Sequence, residues 1–190
     1  MTNLLVLPFR NPYLATKELT TLDTLSGGRL VAGVGAGYLR SEFAALGVDF
    51  DRRAELFDEA IDALCRIWTD PPTPVAGADF AATGEMRLQR PAQSPHPPVW
   101  IGGNSAAARR RVTQFGSGWC PVIADAGMSA AIGTSVIHGV EAFGAAVDAL
   151  GEQLERAGRS LSEIEIQSRR PLSTSTTTRR WRGGIGTSTG

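Results

Sequence analysis

Two glycine-rich stretches carry most of the chemistry this sequence can be read for. In the first, Gly33-Val-Gly35-Ala-Gly37 closes an apolar run that starts at Arg29. A backbone without a β-carbon lets a flat ring approach closely, and that is the ligand-binding use of glycines at the end of a strand. A dinucleotide fingerprint needs its third glycine three positions after the second, and Tyr38 stands there instead, so the spacing argues against such a site. Tight packing of a helix on the strand is the alternative use of the same glycines. In the second stretch, Ile101-Gly102-Gly103-Asn104-Ser105 runs on through three alanines to Arg109. An apolar strand ending in two glycines, followed by a capping pair, points free N–H groups and the positive end of a helix dipole at one place, which suits a phosphate. Ser105 adds a hydroxyl, and one of Arg109, Arg110 or Arg111 can reach back toward it. An ordinary capped helix with no ligand is the alternative.

The remaining reactive side chains form no constellation. His96 lies in Pro95-His-Pro-Pro98 and His138 in a Gly- and Ala-rich stretch, neither with a partner at ligand spacing. Cys65 and Cys120 have no paired-ligand spacing and read as small buried hydrophobes. No His-x-x-His, Cys-x-x-Cys or Gly-x-Ser-x-Gly occurs, so neither a metal nor a serine nucleophile has support. Arg40 and Glu42 can face a site or form a solvated ion pair. No residue is assigned a catalytic role.

The elements that position the two stretches alternate. Residues 3–8, 29–35, 98–103, 118–122 and 164–167 read as strands, mostly short buried ones. Between them, Pro12 opens a helix with Leu14, Ala15, Leu19, Leu22 and Leu25 at helical spacing, stopped by Gly27-Gly28. A short helix over 39–46 and a longer one over 51–68 follow, the latter with Leu56, Phe57, Ala60, Ile61, Leu64, Cys65 and Trp68 on one stripe. Six prolines between 70 and 97 mark an excursion with room for a small hairpin. A capped helix from Asn104-Ser105 to Phe115 and a largely helical stretch over 129–157 complete the order. Ser160-Leu-Ser-Glu163 matches a capping box that turns into the last strand. Strands alternating with helices imply a parallel α/β sheet, either doubly wound or a barrel.

Composition limits the function classes. The 190 residues are 42% hydrophobic, 20% charged and 7% aromatic, as in a soluble globular protein, and no apolar run is long enough to cross a bilayer. A cytoplasmic location is the expectation, with neither a nucleic-acid nor a membrane partner. The net charge of zero is unevenly distributed: residues 168–190 hold five arginines and no acid, leaving 14 basic and 19 acidic groups before them. That segment is rich in Ser, Thr, Arg and Gly, with only Leu172, Trp181 and Ile185 as large apolar residues. It is expected to be a disordered tail, distinct from a domain over 1–167.

Leu7-Pro-Phe-Arg-Asn-Pro12, Leu22-Asp-Thr-Leu-Ser-Gly-Gly-Arg29, Gly33-Val-Gly-Ala-Gly-Tyr38 with Glu42-Phe43 and Leu46-Gly47, Pro95-His-Pro-Pro-Val-Trp-Ile-Gly-Gly-Asn-Ser105, and Gly118-Trp119 occur in that order. Together they resemble the luciferase-like monooxygenase family, and within it the deazaflavin-dependent oxidoreductases. The resemblance covers roughly residues 3–122, with a looser match to 167. It implies an α/β fold, a partial (β/α)₈ TIM barrel of about five βα units. It also implies hydride transfer between coenzyme F-420 and a small organic substrate, with a flavin mononucleotide (FMN) monooxygenase as the alternative. By motif, Gly35 and Gly37 would pass close to the ring system, and Gly102, Gly103, Asn104 and Ser105 would meet the cofactor phosphate.

The sequence departs from that pattern in three places. The family's first two strands, whose ends carry substrate-facing and acid/base groups, have no counterpart, so the catalytic base is expected to be missing. Tyr38 replaces the acid found in the sugar-phosphate dehydrogenases of the family. Residues 168–190 do not continue the barrel. A length below the roughly 250 residues of a full barrel is therefore expected to reflect truncation. An open barrel edge would favour a homo-oligomer, and a non-catalytic fragment is the reading from a different class.

Overall fold

Short apolar runs ending in glycine or proline become strands, and the amphipathic stretches between them become helices. The computed structural model describes residues 1–69, 74–84 and 88–168, together with the backbone of 180–181. The expectation of a disordered tail over 168–190 otherwise lies outside the described residues. The chain divides into two units, Met1–Gly102 and Gly103–Gly190.

In the first unit, β1 (Leu5–Val6), β2 (Ala32–Gly35) and β5 (Val99–Gly102) are parallel. Between β2 and β5 lie the two-residue strands β3 (Ala76–Gly77) and β4 (Phe80–Ala81), an antiparallel hairpin inside the proline-rich excursion. Ala32 pairs with Val99, Gly33 with Trp100 and Val34 with Ile101. Side chains alternate along a strand, so Ala32, Val34, Val99 and Ile101 share one face and are fully buried, while Gly33, Gly35, Trp100 and Gly102 share the other. The first strand is shorter than the apolar run 3–8, because Leu7–Phe9 wind into a 3₁₀ turn around Pro8.

Helix α1 (Pro12–Leu25) begins at Asn11, whose Oδ1 accepts the Tyr13 N–H. Its buried face differs from the leucine stripe expected from the sequence. Pro12, Ala15, Thr16, Leu19, Thr20 and Asp23 are buried, whereas Leu14, Leu22 and Leu25 are exposed. The polar members of that face are satisfied where they lie. Thr16 Oγ1 donates to the Pro12 carbonyl, Thr20 Oγ1 accepts Trp68 Nε1–H at 2.9 Å, and the Asp23 carboxylate accepts two N–H groups of Gln93. After α2 (Arg40–Ala45), helix α3 (Arg53–Thr69) packs on α1 through Phe57, Ala60, Ile61, Leu64 and Trp68, largely as its stripe predicts. Tyr13 Oη accepts the Val75 N–H and donates to the Val75 carbonyl, tying the hairpin side to α1.

In the second unit, α4 (Ala106–Phe115) leads to β6 (Gly118–Cys120), which is parallel to β7 (Glu165–Gln167); β7 in turn pairs antiparallel with β8 (Arg180–Trp181). The stretch 129–157 is two helices rather than one, α5 (Ala126–Ile132) and α6 (Gly139–Arg156). Gly133 adopts a left-handed conformation that ends α5. Arg159 donates to the carbonyls of Val112, Thr113 and Gly116, closing the last turn of α4 with a cation where the helix dipole favours one. The Ser160/Glu163 capping box forms on a 3₁₀ turn, Leu161–Glu163, immediately before β7. Among the described residues no helix is long and apolar enough to cross a membrane.

Candidate functional site

On the first unit, the face of β2 and β5 that carries Gly33, Gly35 and Gly102 is a strip of backbone, bare except for the side chain of Trp100. Gly35 follows Val34 and Gly102 follows Ile101 in the paired register, so the two glycines end adjacent strands on one face. The side chain of Leu4 rests on this strip. A β-carbon on Gly35 would stand 3.5 Å from Leu4 Cδ1, an ordinary contact, whereas one on Gly102 would overlap the same methyl. Gly33 is still more closely covered: a β-carbon there would strike the Thr2 carbonyl oxygen and lie 3.0 Å from Leu4 Cδ2. The strip therefore fits a flat group lying on it, and the group lying there is an aliphatic side chain of the same chain. Nothing in the apolar run 3–8 signals that one of its leucines would meet the glycines in this way.

Gly37 does different work. Its φ of +80° is a conformation that glycine adopts without cost, and a β-carbon would stand 2.8 Å from both Phe43 Cε2 and Val6 Cγ1. Phe43 is fully buried between Phe9 and Phe50, edge-to-face with each at 4.6 and 5.1 Å between ring centroids. Phe9 also lines a cavity of about 390 Å³ together with Arg10, Pro12, Arg52, Leu56 and Phe80. Arg40 pairs with Asp51 rather than with Glu42, and both partners are exposed, as in a solvated ion pair.

On the second unit, the start of α4 is held by an interlocked set of hydrogen bonds. Gly103 has a φ of +115°, its N–H donates to the Cys120 carbonyl, and its own carbonyl accepts Trp119 Nε1–H at 2.8 Å. Asn104 is 1% exposed. Its Oδ1 accepts the Val122 N–H, and its Nδ2 donates to the carbonyls of Val122 and Ser135. Ser105 is the N-cap, its Oγ accepting the Ala108 N–H at 3.1 Å. Ala106 and Ala107 open the helix with N–H groups that have no carbonyl four residues back within it. Of the three arginines considered from the sequence, Arg109 reaches back. Its Nη1 donates to the Asn104 carbonyl at 2.9 Å, and its Nε is buried with no partner.

Other candidates stand apart from both places. His96 stacks on Trp68 with ring centroids 5.4 Å apart, and its Nδ1 faces the Pro97 carbonyl. Burial, aided by Asp62, pushes the Cys65 thiol up to about 12, far from a reactive thiolate. Among the described residues no three His, Cys, Asp or Glu side chains gather as a metal site would require.

A family model described as luciferase-like monooxygenase matches residues 1–182. The chain belongs to the luciferase-like monooxygenase family. An FMNH(2)-dependent dimethylsulfone monooxygenase of Pseudomonas putida is 39% identical over 103 residues, 52% of this chain and 28% of that protein. Among solved structures, the monooxygenase RslO1 of Streptomyces bottropensis superposes with a TM-score of 0.71 at 23% identity, over 86% of this chain and 47% of its own. The coenzyme F420 dependent tetrahydromethanopterin reductase of Methanopyrus kandleri gives 0.64 at 21% identity, over 84% of this chain and 46% of its own. These likenesses establish the fold as α/β, part of a luciferase-like TIM barrel. The matched segment spans less than a third of the length of the curated relatives.

Proposed function

We propose that this luciferase-like chain is the cofactor-holding portion of a flavin-dependent oxidoreductase acting on a small organic substrate, with the tricyclic ring on the bare backbone of Gly35 and Gly102. The observation that carries the reading is that strip: two paired strands end in adjacent glycines whose shared face, under Leu4, has the flatness a ring needs. Gly37 supports it indirectly, since its left-handed turn seats Phe43 and fixes the chain leaving β2. Taken by itself, the second unit supports a phosphate-binding role for the opening N–H groups of α4, with Gly103 making the turn, Ser105 capping, and Asn104 fixing the loop through its committed side chain. When bound, the cofactor supplies the hydride chemistry, and the chain contributes binding and orientation.

FMN is the leading cofactor. The relative at 39% identity is FMNH(2)-dependent, which supports FMN; coenzyme F-420, the first reading of the sequence motifs, is kept as the second. Titrating the purified chain with each cofactor, oxidised and reduced, while following cofactor fluorescence tests both. Saturable micromolar binding of FMN supports the first reading and of F-420 the second. Absence of binding for either at high micromolar concentration overturns both and leaves a non-catalytic fragment. Where FMN binds, oxygen-dependent turnover distinguishes a monooxygenase from a hydride-transferring dehydrogenase.

A further inference from the structure

We propose that Leu4 is the gate of the glycine strip, so that side-chain size at position 4 sets how tightly a flat heteroaromatic ring is held. The inference rests on the ring-binding reading of Gly35 and Gly102 and adds a residue to it. Its basis is the way residues 2–4 are delivered to β2. The Thr2 N–H donates to the Val31 carbonyl at 3.1 Å, and Thr2 Oγ1 donates to the Gly33 carbonyl at 2.8 Å. Those two bonds lay the segment along the edge of the strand and place Leu4 over Gly33, Gly35 and Gly102 at once.

Leu4 is held differently from the core leucines. Leu7 and Leu19 are 1% exposed, whereas Leu4 is only half-buried and rests on glycine backbone, with no interdigitating side chain at any of the three positions beneath it. A half-buried side chain has solvent on one side to turn into, and exposed side chains change rotamer on fast timescales, so Leu4 can leave the strip where a core leucine could not. A ring seated on Gly102 must occupy the volume of Leu4 Cδ1, because a single β-carbon there already overlaps it. Ring binding and the observed position of Leu4 are therefore mutually exclusive, and the ring's affinity carries the cost of moving Leu4 aside.

The experiment measures dissociation constants for lumichrome, a flat tricyclic ring without a phosphate tail, and for FMN, with the native chain, Leu4→Ala, Leu4→Val and Leu4→Phe. The expected result is a graded series. Leu4→Ala binds both probes about tenfold more tightly than the native chain, Leu4→Val lies between them, and Leu4→Phe binds more weakly. Binding by Leu4→Ala with none by the native chain supports the gate in its strongest form. Equal affinity across all four proteins overturns the gate and leaves the flavin reading standing. No binding by any of them overturns the ring-binding reading, and the gate with it. Leu4→Val removes a single methylene from a half-buried site, so the series stays interpretable if the alanine variant is too unstable to assay.

Discussion

The glycine strip of the first unit and the start of α4 in the second are both built around Gly-rich motifs, yet they are built in opposite ways. On the strip, room comes from side chains that are absent, and the surface is glycine backbone with a half-buried leucine on it. At the start of α4, the side chains that look ligand-directed in the sequence are engaged within the protein: Asn104 makes three hydrogen bonds and Ser105 caps the helix. What remains for an anion is backbone N–H. The difference teaches that polar residues in a motif can be consumed in holding their own loop, while a run of glycines shapes a surface without offering a single functional group.

The largest effect should come from breaking the saturated side of this contrast. Asn104→Ala deletes the three hydrogen bonds that a buried side chain makes to the Val122 N–H and to the carbonyls of Val122 and Ser135. We expect a loss of about 3–5 kcal/mol in stability, measured by urea unfolding, with or without any ligand. If the loss were instead small without ligand and binding alone suffered, Asn104 would be a ligand contact and the contrast would fail. Next in size is Gly37→Ala, which combines a φ of +80° with collisions against Phe43 and Val6, for about 2–4 kcal/mol. Gly35→Ala, whose added methyl meets Leu4 at ordinary contact distance, should stay within about 1 kcal/mol of the native chain.

A double-mutant cycle sharpens the bare side. Gly102→Ala in the native background forces its methyl into Leu4 and should cost about 1–3 kcal/mol. In the Leu4→Ala background the same substitution has room and should cost close to nothing, so the coupling between positions 4 and 102 reports their contact without any cofactor. Additive losses would place Leu4 elsewhere. Ser105→Ala, which deletes one cap hydrogen bond on a ten-residue helix, should cost about 1 kcal/mol.

Much of this architecture was legible in the sequence because it rests on local signals. Pro12 and Gly27-Gly28 bracket α1, Asn104-Ser105 precede α4, and the stripe on α3 is buried largely as its spacing requires. The parallel α/β order follows from the alternation of short apolar runs with amphipathic ones, and the family from motifs spread over 120 residues. Non-local partnerships were not legible. Helix α1 buries Thr16, Thr20 and Asp23 in preference to Leu14, Leu22 and Leu25 because Trp68 and Gln93, 48 and 70 residues away in the chain, satisfy two of those polar groups. The break in the helix over 133–138 rests on a left-handed glycine followed by Thr134, Ser135, Val136 and Ile137, weak helix formers that the apolar spacing from Val140 onward outweighs when the stretch is read as one helix. Leu4 stands in an apolar run that gives no hint of what it covers.

The smallest expected effect concerns the other serine-led cap of the second unit, Ser160 with Glu163, which has the polar economy of the α4 start in an exposed setting. The Glu163 carboxylate accepts the Ser160 N–H at 2.9 Å and pairs with Arg159 at 3.2 Å. The backbone hydrogen bond first, and the arginine second, hold its pKa below the usual carboxylate value. A carboxyl whose folded pKa is depressed stabilises the folded state at pH values above its unfolded pKa, and that contribution is lost as pH falls through the folded value. Glu163→Gln should therefore melt slightly below the native chain at neutral pH, and the two melting curves should converge as the medium is acidified past the ordinary carboxylate range. Raising the salt concentration at neutral pH should remove only the Arg159 part of the difference, since the backbone hydrogen bond is not a pairing of two full charges. A gap that ignored pH would mean that the side chain acts here through its shape, and that the box, unlike Asn104, holds its turn without its charge.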